Sequence, residues 1–190
     1  MEAYVALLLK WQPRINLIGP NTVSTLWWRH MRDSAQLASH RPEAINGPWL
    51  DLGSGAGFPG LVMSLMPSPH MPLRVHLVES DQRKAVFLQE VIRACSAPAQ
   101  VHSVRIESLH SLFKQKAGLI TARALAPLHT LFEITEQITD SSTLFLLLKG
   151  QDVVGELTSA AKYRRMSVNQ YPSRTNPGSM VLRITEVARV

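Results

Sequence analysis

The sequence predicts an α/β fold: a mostly parallel, seven-stranded sheet with helices on both faces, closed by a C-terminal antiparallel hairpin. Three observations predict it. Strand-like and helix-like segments alternate five times from Trp49 onward, the order expected when crossover helices join parallel strands. Thr143 to Leu148 (TLFLLL) is wholly apolar, as a strand covered on both faces must be. Finally, two strand-like segments, near Met166 to Tyr171 and Met180 to Glu186, flank a turn rich in Pro, Ser, Asn and Gly.

The elements follow in order. Tyr4, Leu7, Leu8 and Trp11 share one helical face, and Pro13 breaks that run. Residues 2 to 40 read as helical overall, with a turn at 15 to 20 and Asn21 or Thr22 available to cap a second helix. Of the adjacent Trp27 and Trp28, one is expected to pack and the other to be partly exposed. His30, Asp33 and Ser34 stand at i, i+3 and i+4 and so share a face; that face either lines a cleft or is solvated. A first strand then ends at Asp51, and a second, Leu73 to Glu79, alternates and also ends in an acid. Asp81 to Cys95 is a helix, and Val101 to Val104 a short third strand. Leu119 to Ala122 is a fourth strand leading into Arg123, and Pro127 to about Ile138 a helix. After the apolar fifth strand, a further helix runs to Tyr163 and ends in Arg164 and Arg165. Residues 1–46 are expected to form a helical extension packed on a 47–190 core domain.

The first strand runs into WLDLGSGAGFPG, Trp49 to Gly60. Pro59 suits a first helical position, because its missing N–H would have no partner there. Gly53, Gly55 and Gly57 can take positive φ and allow a ligand close to bare backbone. Free N–H groups at the helix start would favour an anionic group. Gly55, Gly57 and Gly60 fit the dinucleotide pattern G-x-G-x-x-G, weak evidence alone. Asp51, Gly53, Gly55 and Gly57 fit D-x-G-x-G-x-G, the usual first motif of S-adenosylmethionine (SAM) methyltransferases. A plain glycine turn is the third reading. SAM is favoured, since Asp51 can bond the ordered loop or the cofactor's ammonium, whereas a pyrophosphate gains nothing from a carboxylate. Glu79 lies 26 residues after Gly53, about where an acid reaches the ribose of a bound nucleoside. In such sheets ligands lie beyond the strand C-terminal ends. Asp51 to Phe58, Glu79, Arg105 to Glu107, Arg123 and Lys149 are all expected there.

Composition sets limits. The 190 residues suffice for one domain with a proper core. Apolar content is 45% and mean hydropathy is zero, as for a globular chain in water. No apolar run approaches the roughly 18 residues of a membrane span, and Met1 to Lys10 looks like an amphipathic helix rather than a signal. The single Cys95 excludes an internal disulfide and fits a reducing cytosol, so a cytoplasmic location is expected. A net charge of +6, with 14 arginines to 6 lysines, suits a polyanion such as nucleic acid.

The whole set of segments resembles the RsmG (GidB) family, bacterial methyltransferases that modify N7 of one guanine in small-subunit (16S) ribosomal RNA. The resemblance rests on Trp11, Asn16-Leu17, Arg29-His30 with Asp33-Ser34, and DLGSGAGFPG at 51 to 60. It continues through Glu79-Ser80, Lys84, Phe87-Leu88, Arg105 to Glu107, Arg123-Ala124 and Leu148-Lys149-Gly150. Gly118 and Ala122 depart from the family's usual acid and serine. The resemblance implies a class I SAM-methyltransferase fold, Rossmann-like, with cofactor contacts at Gly53, Phe58, Ile106, Glu107 and Arg123. It also implies RNA contacts at Arg29, His30 and Arg123. Arg14, Arg32, Arg164 and Arg165 are further RNA-facing candidates, although a basic helix end explains the last two as well. No metal and no general base are expected, because guanine N7 carries a free lone pair. The expected partner is 16S rRNA within the small subunit or an assembly intermediate, with the enzyme a monomer. A nicotinamide-dependent oxidoreductase and an RNA-binding module without cofactor are the rival readings.

Overall fold

A computed structural model describes residues 1–67 and 74–190. Its sheet has seven strands: β1 (Trp49–Leu52), β2 (Val75–Val78), β3 (Ala99–His102), β4 (Leu119–Arg123), β5 (Leu144–Lys149), β6 (Arg164–Pro172) and β7 (Met180–Arg189), in the order β3-β2-β1-β4-β5-β7-β6. The first five run parallel, and β7 is antiparallel to both β5 and β6. The helices are α1 (Glu2–Trp11), α2 (Asp33–Ala35), α3 (Gly60–Ser64), α4 (Gln82–Cys95), α5 (Leu109–Leu112), α6 (Leu128–Thr135) and α7 (Val153–Ala161).

Period-2 alternation sorts the apolar side chains into two cores, one on each face of the sheet. Leu144, Leu146 and Leu148 of β5 join Trp49, Leu77, Phe87, Leu88 and Leu119 on one face. Phe145 and Leu147 join Leu50, Leu52, Ile120, Leu131 and Phe132 on the other. The wholly apolar run of β5 is thus explained by burial from both sides. On the first face, α1 inserts Tyr4 and Leu8 into the core. Trp11 packs edge-on to Phe87 at 5.9 Å and donates its indole N–H to Glu90 at 3.0 Å. The start of α4 is fixed by Asp81, whose carboxylate accepts from the N–H groups of Arg83 and Lys84.

Register places the site. Leu52 pairs with Val78 and Ala122, Val78 with His102, and Arg123 with Leu148. The residues that follow, Gly53, Glu79 and Ser103, therefore emerge along one edge with Arg123 and Lys149.

Several local expectations change. Residues 20 to 40 are not regular helix: a 3-10 turn (Pro20–Thr22), a π-helical stretch (Trp27–Arg32), α2 and a second 3-10 run (Gln36–His40) follow one another. Neither Asn21 nor Thr22 caps the next segment; the Thr22 hydroxyl donates to Gly19 O instead. Trp27 and Trp28 are both half exposed. β3 lies two residues earlier than expected, because Ser96 in the left-handed region ends α4 and pairing begins at Ala99. The expected first residue of the second strand, Leu73, lies outside the described residues. Arg164 and Arg165 open β6 rather than ending a helix, so the helix-end explanation of their charge falls.

Candidate active site

The bend after β1 is held from inside. Asp51 is fully buried, and its Oδ1 accepts from the Thr121 hydroxyl at 2.6 Å and from Gly60 N–H at 3.1 Å. The Trp49 indole in turn donates to the Thr121 oxygen at 3.1 Å. Burial pushes the Asp51 carboxyl up to about 6, against the opposing pull of its hydrogen bonds from Thr121, Ser54 and Gly60 and the charge of Arg123. Through Oδ1, Asp51, expected at the cofactor, pins the start of α3 against β1, while its Oδ2 is buried with no hydrogen-bond partner among the described residues. The expected ring of free N–H groups is also spent: Gly57 and Phe58 donate to Ser54 O, and Gly60 to Asp51.

The glycines have separate reasons. A Cβ on Gly53 would lie 2.6 Å from Leu125 Cδ1, and one on Gly60 2.5 Å from Asp51 Cβ. The place of a Cβ on Gly57 is taken by the Tyr4 hydroxyl and Leu61; that hydroxyl hydrogen-bonds Ala56 O. Gly55 alone of the bend glycines finds open space, its nearest neighbour being Gly53 O at 3.8 Å. Its φ of +56° is one that side chains rarely adopt. Beside it, the buried Glu79 accepts from Gly55 N–H and from Asp81 N–H, each at 2.8 Å. Ile106 and Glu107 follow β3 in a 3-10 turn, Ile106 packing on the core and Glu107 exposed. The departure at Gly118 has a steric cause, since a Cβ there would lie 2.7 Å from Asn46 O.

Arg123 is where the N-terminal segment meets the sheet edge. Nη1 donates to Arg29 O at 3.0 Å and to Asp33 Oδ2 at 3.4 Å, and Nη2 donates to His30 Nδ1 at 2.5 Å. The guanidinium carbon stands 5.1 Å over the Phe58 ring, against which His30 also stacks at 5.2 Å. A guanidinium only donates, so His30 Nδ1 must accept and the ring proton sits on Nε2. That N–H reaches the Thr22 oxygen at 2.7 Å, whose own proton goes to Gly19. Every role in the chain is then satisfied. Burial, then the charges of Arg123 and Arg29, lower the His30 pKa to about 4. The next residue, Ala124, has a φ of +51°, the kind of backbone strain that gathers at functional sites.

Asp33 carries this network to the β6–β7 turn. Its Oδ1 accepts from the Thr175 hydroxyl at 2.5 Å and from Gln36 Nε2 at 2.8 Å, while Gln36 Oε1 accepts Arg174 N–H. Trp28 donates its indole N–H to Thr175 O at 2.8 Å, and Arg29 reaches Asn176 Oδ1. Between this turn and the ends of β4 and β5 lies a cavity of about 570 Å³, lined by Arg123, Leu125, Pro127, Lys149, Glu156 and Thr175 among others. His30 and Arg123, expected to face RNA, are mostly turned inward: His30 is buried with both ring nitrogens bonded, while Arg29 is exposed. Thr121, Thr175 and Glu156 went unnoticed in the sequence, and Tyr4 was read there only as part of the apolar face of α1.

This strand order, with a glycine bend after β1 and an acid after β2, is that of the class I SAM-dependent methyltransferases. Solved structures share the fold. One is an M. jannaschii TYW2 in complex with AdoMet (TM-score 0.58, 11% identity, 94% of this chain and 80% of that one). Another is a Corynebacterium glutamicum protein (TM-score 0.61, 12% identity, 99% and 91%). Within that class the chain belongs to the GidB family, rRNA small subunit methyltransferase G, whose model matches residues 1–177. Relatives named ribosomal RNA small subunit methyltransferase G include one from Paramagnetospirillum magneticum, 46% identical over 189 residues, covering all of this chain and 88% of the relative. One from Bradyrhizobium sp. is 41% identical over 189 residues, covering all of this chain and 84% of the relative. Among the described residues no helix is long and apolar enough to cross a membrane.

Gly55→Ala should cost about 1–2 kcal/mol of stability for its left-handed backbone and lower SAM affinity by calorimetry about tenfold or more, because its methyl enters the open side. Gly57→Ala should cost more stability, having Tyr4 and Leu61 in the way. Burial and the charges of Arg123 and Arg29 hold the His30 pKa at about 4, below the ordinary histidine value of 6.5. Its contribution is present above 6.5 and lost as pH falls through 4. Asp51 has the opposite sign, its contribution present below 3.8 and lost as pH rises through about 6. Urea unfolding of His30→Asn, which keeps an acceptor near the Nδ1 position, should therefore show less loss than wild type between pH 6.5 and 4.

Proposed function

We infer that this chain transfers a methyl group from SAM to N7 of one guanine in 16S ribosomal RNA. One observation carries the reading beyond family membership. Arg123 joins two features, the bend with its bare Gly55 and a cavity large enough for a base, by stacking on Phe58 of the first and lining the second. The residues fit the cofactor. Gly55 leaves open the space a Cβ would fill, and the adjacent Glu79 carboxylate suits ribose hydroxyls, each of its oxygens having a lone pair beyond its backbone bond. Ile106 and Glu107, in the turn after β3, would hold the adenine, and Gly53 and Phe58 of the bend would contact the rest of the cofactor. Arg123 keeps Nε–H and its second Nη2–H beyond the bonds described, for a carboxylate. SAM supplies an electrophilic methyl group on its sulfonium.

Guanine N7 has an in-plane lone pair, so no proton is removed before attack and alignment is the main requirement. The rigid Arg123–His30–Asp33 network supplies it by fixing the wall between bend and cavity. His30 is no base: both its nitrogens are engaged and its affinity for protons is low. The methylated purine gains positive charge, which the Asp33 carboxylate lining the cavity would ease. The guanine must leave its stack to enter, with the exposed Arg29 and Arg32 at the RNA side. Residues 1–46 act as an extension built over the 47–190 methyltransferase domain. The enzyme works as a cytoplasmic monomer on the small subunit or its assembly intermediate.

Labelled SAM offered with total RNA, small subunits and stripped small-subunit RNA tests this reading. Label should appear as N7-methylguanine in 16S rRNA, most strongly with the subunit particle; no label in any RNA would refute it. Glu79→Gln should weaken SAM binding by about 1.5–3 kcal/mol, the worth of a charge-assisted hydrogen bond. Unchanged calorimetric affinity would remove the ribose role.

A further inference from the structure

Lys149 ends β5 and is buried, an environment that disfavours an ammonium unless it is well paired. Its Nζ donates to Ala126 O at 2.5 Å and to Glu156 Oε2 at 2.8 Å. The same Oε2 accepts Leu128 N–H at 2.9 Å. These bonds strap the 123–127 loop and α6 to β5 and α7, and they account for part of the pair. They do not account for the rest of it. An ammonium has a third N–H, and Glu156 Oε1 takes no part in these bonds. Both residues line the 570 Å³ cavity, and the Glu156 side chain keeps 25% of its surface exposed. The pair thus keeps one donor, on Lys149, and one acceptor, on Glu156, side by side at the cavity wall, and carries no net charge.

That order complements one purine. Guanine presents O6, an acceptor, beside N1–H, a donor; adenine presents the reverse, an amino donor beside N1, an acceptor. Turning adenine over to match would carry its N7 from the Lys149 side to the Glu156 side. Leu125, Ala126, Pro127 and Leu148 supply apolar walls for the ring faces. We propose that Lys149 and Glu156 read the acceptor base, with Lys149 Nζ donating to guanine O6 and Glu156 Oε1 accepting from N1–H. The assignment rests on the reading of this cavity as the methyl-acceptor site. It makes the ion pair a specificity determinant as well as a brace.

The test uses small subunits reconstituted with guanine or with 2-aminopurine at the acceptor position. 2-Aminopurine keeps N7 and lacks both O6 and N1–H. Wild-type enzyme should lose about ten-thousandfold in kcat/KM on 2-aminopurine, as sites built to hydrogen-bond a substrate reject analogues without the group. Equal rates on the two bases would overturn the assignment with no variant needed. Glu156→Gln should lower kcat/KM about thirtyfold on guanine, the order expected for a charge-assisted hydrogen bond, and leave the 2-aminopurine rate and calorimetric SAM affinity unchanged. A drop shared by both substrates, or none on either, would reduce the pair to a brace. Failure of wild type to methylate the guanine subunit would instead sink the functional reading, and this assignment with it.

Discussion

A buried guanidinium cannot discard its charge, and the site is built around that constraint. Arg123 keeps only a fifth of its side-chain surface exposed, and burial in low dielectric is costly unless every donor is met. Acceptors must come from elsewhere in the chain, and the 22–33 segment brings three: the Arg29 carbonyl, His30 Nδ1 and the Asp33 carboxylate. The π-helical turn at Trp27–Arg32 is how they all face one way; such turns recur at functional sites. Asp33 then recruits the Thr175 turn of the terminal hairpin. One arginine thus fixes three segments that are far apart in sequence, and the wall of the cavity is rigid as a consequence.

The same logic explains where the acids went. Asp51 and Glu79 stand where ligand-binding carboxylates are expected, yet both satisfy backbone first. A tight bend with successive left-handed glycines turns its N–H groups away from any helix or ladder, and buried N–H groups need acceptors. Asp51 meets Gly60 and Glu79 meets Gly55. The two differ in what remains. Asp51 is sealed beneath Trp49 and Thr121, whereas Glu79 lies beside the one bend glycine that faces open space.

Legibility in the sequence follows from how local each signal is. The sheet was readable because alternation, the apolar β5 and the hairpin turn are short-range patterns, and register then put Gly53, Glu79, Arg123 and Lys149 on one edge. The irregular helices between Pro20 and His40 were not readable, because their geometry answers to Arg123 some ninety residues away. Spacing alone placed His30 and Asp33 on a common face but could not tell cleft from solvent. The Thr121, Thr175 and Glu156 roles had no sequence signal: a threonine in a strand and a glutamate in a helix are ordinary until a partner from another element arrives.

His30 is the titratable group nearest Arg123, and an enzyme that had to deprotonate its substrate would raise such a histidine towards neutrality and leave a nitrogen open. Here the environment does the reverse. Its proton affinity is lowered, Nδ1 is taken by Arg123 and Nε2–H by Thr22. A neutral imidazole with both nitrogens bonded and its ring stacked on Phe58 holds Arg123 in place, and alignment is what attack by a free ring-nitrogen lone pair demands. The protonation state of His30 is therefore part of the scaffold: a proton on Nδ1 would set two cations face to face and loosen the wall from which Arg123 serves both bend and cavity.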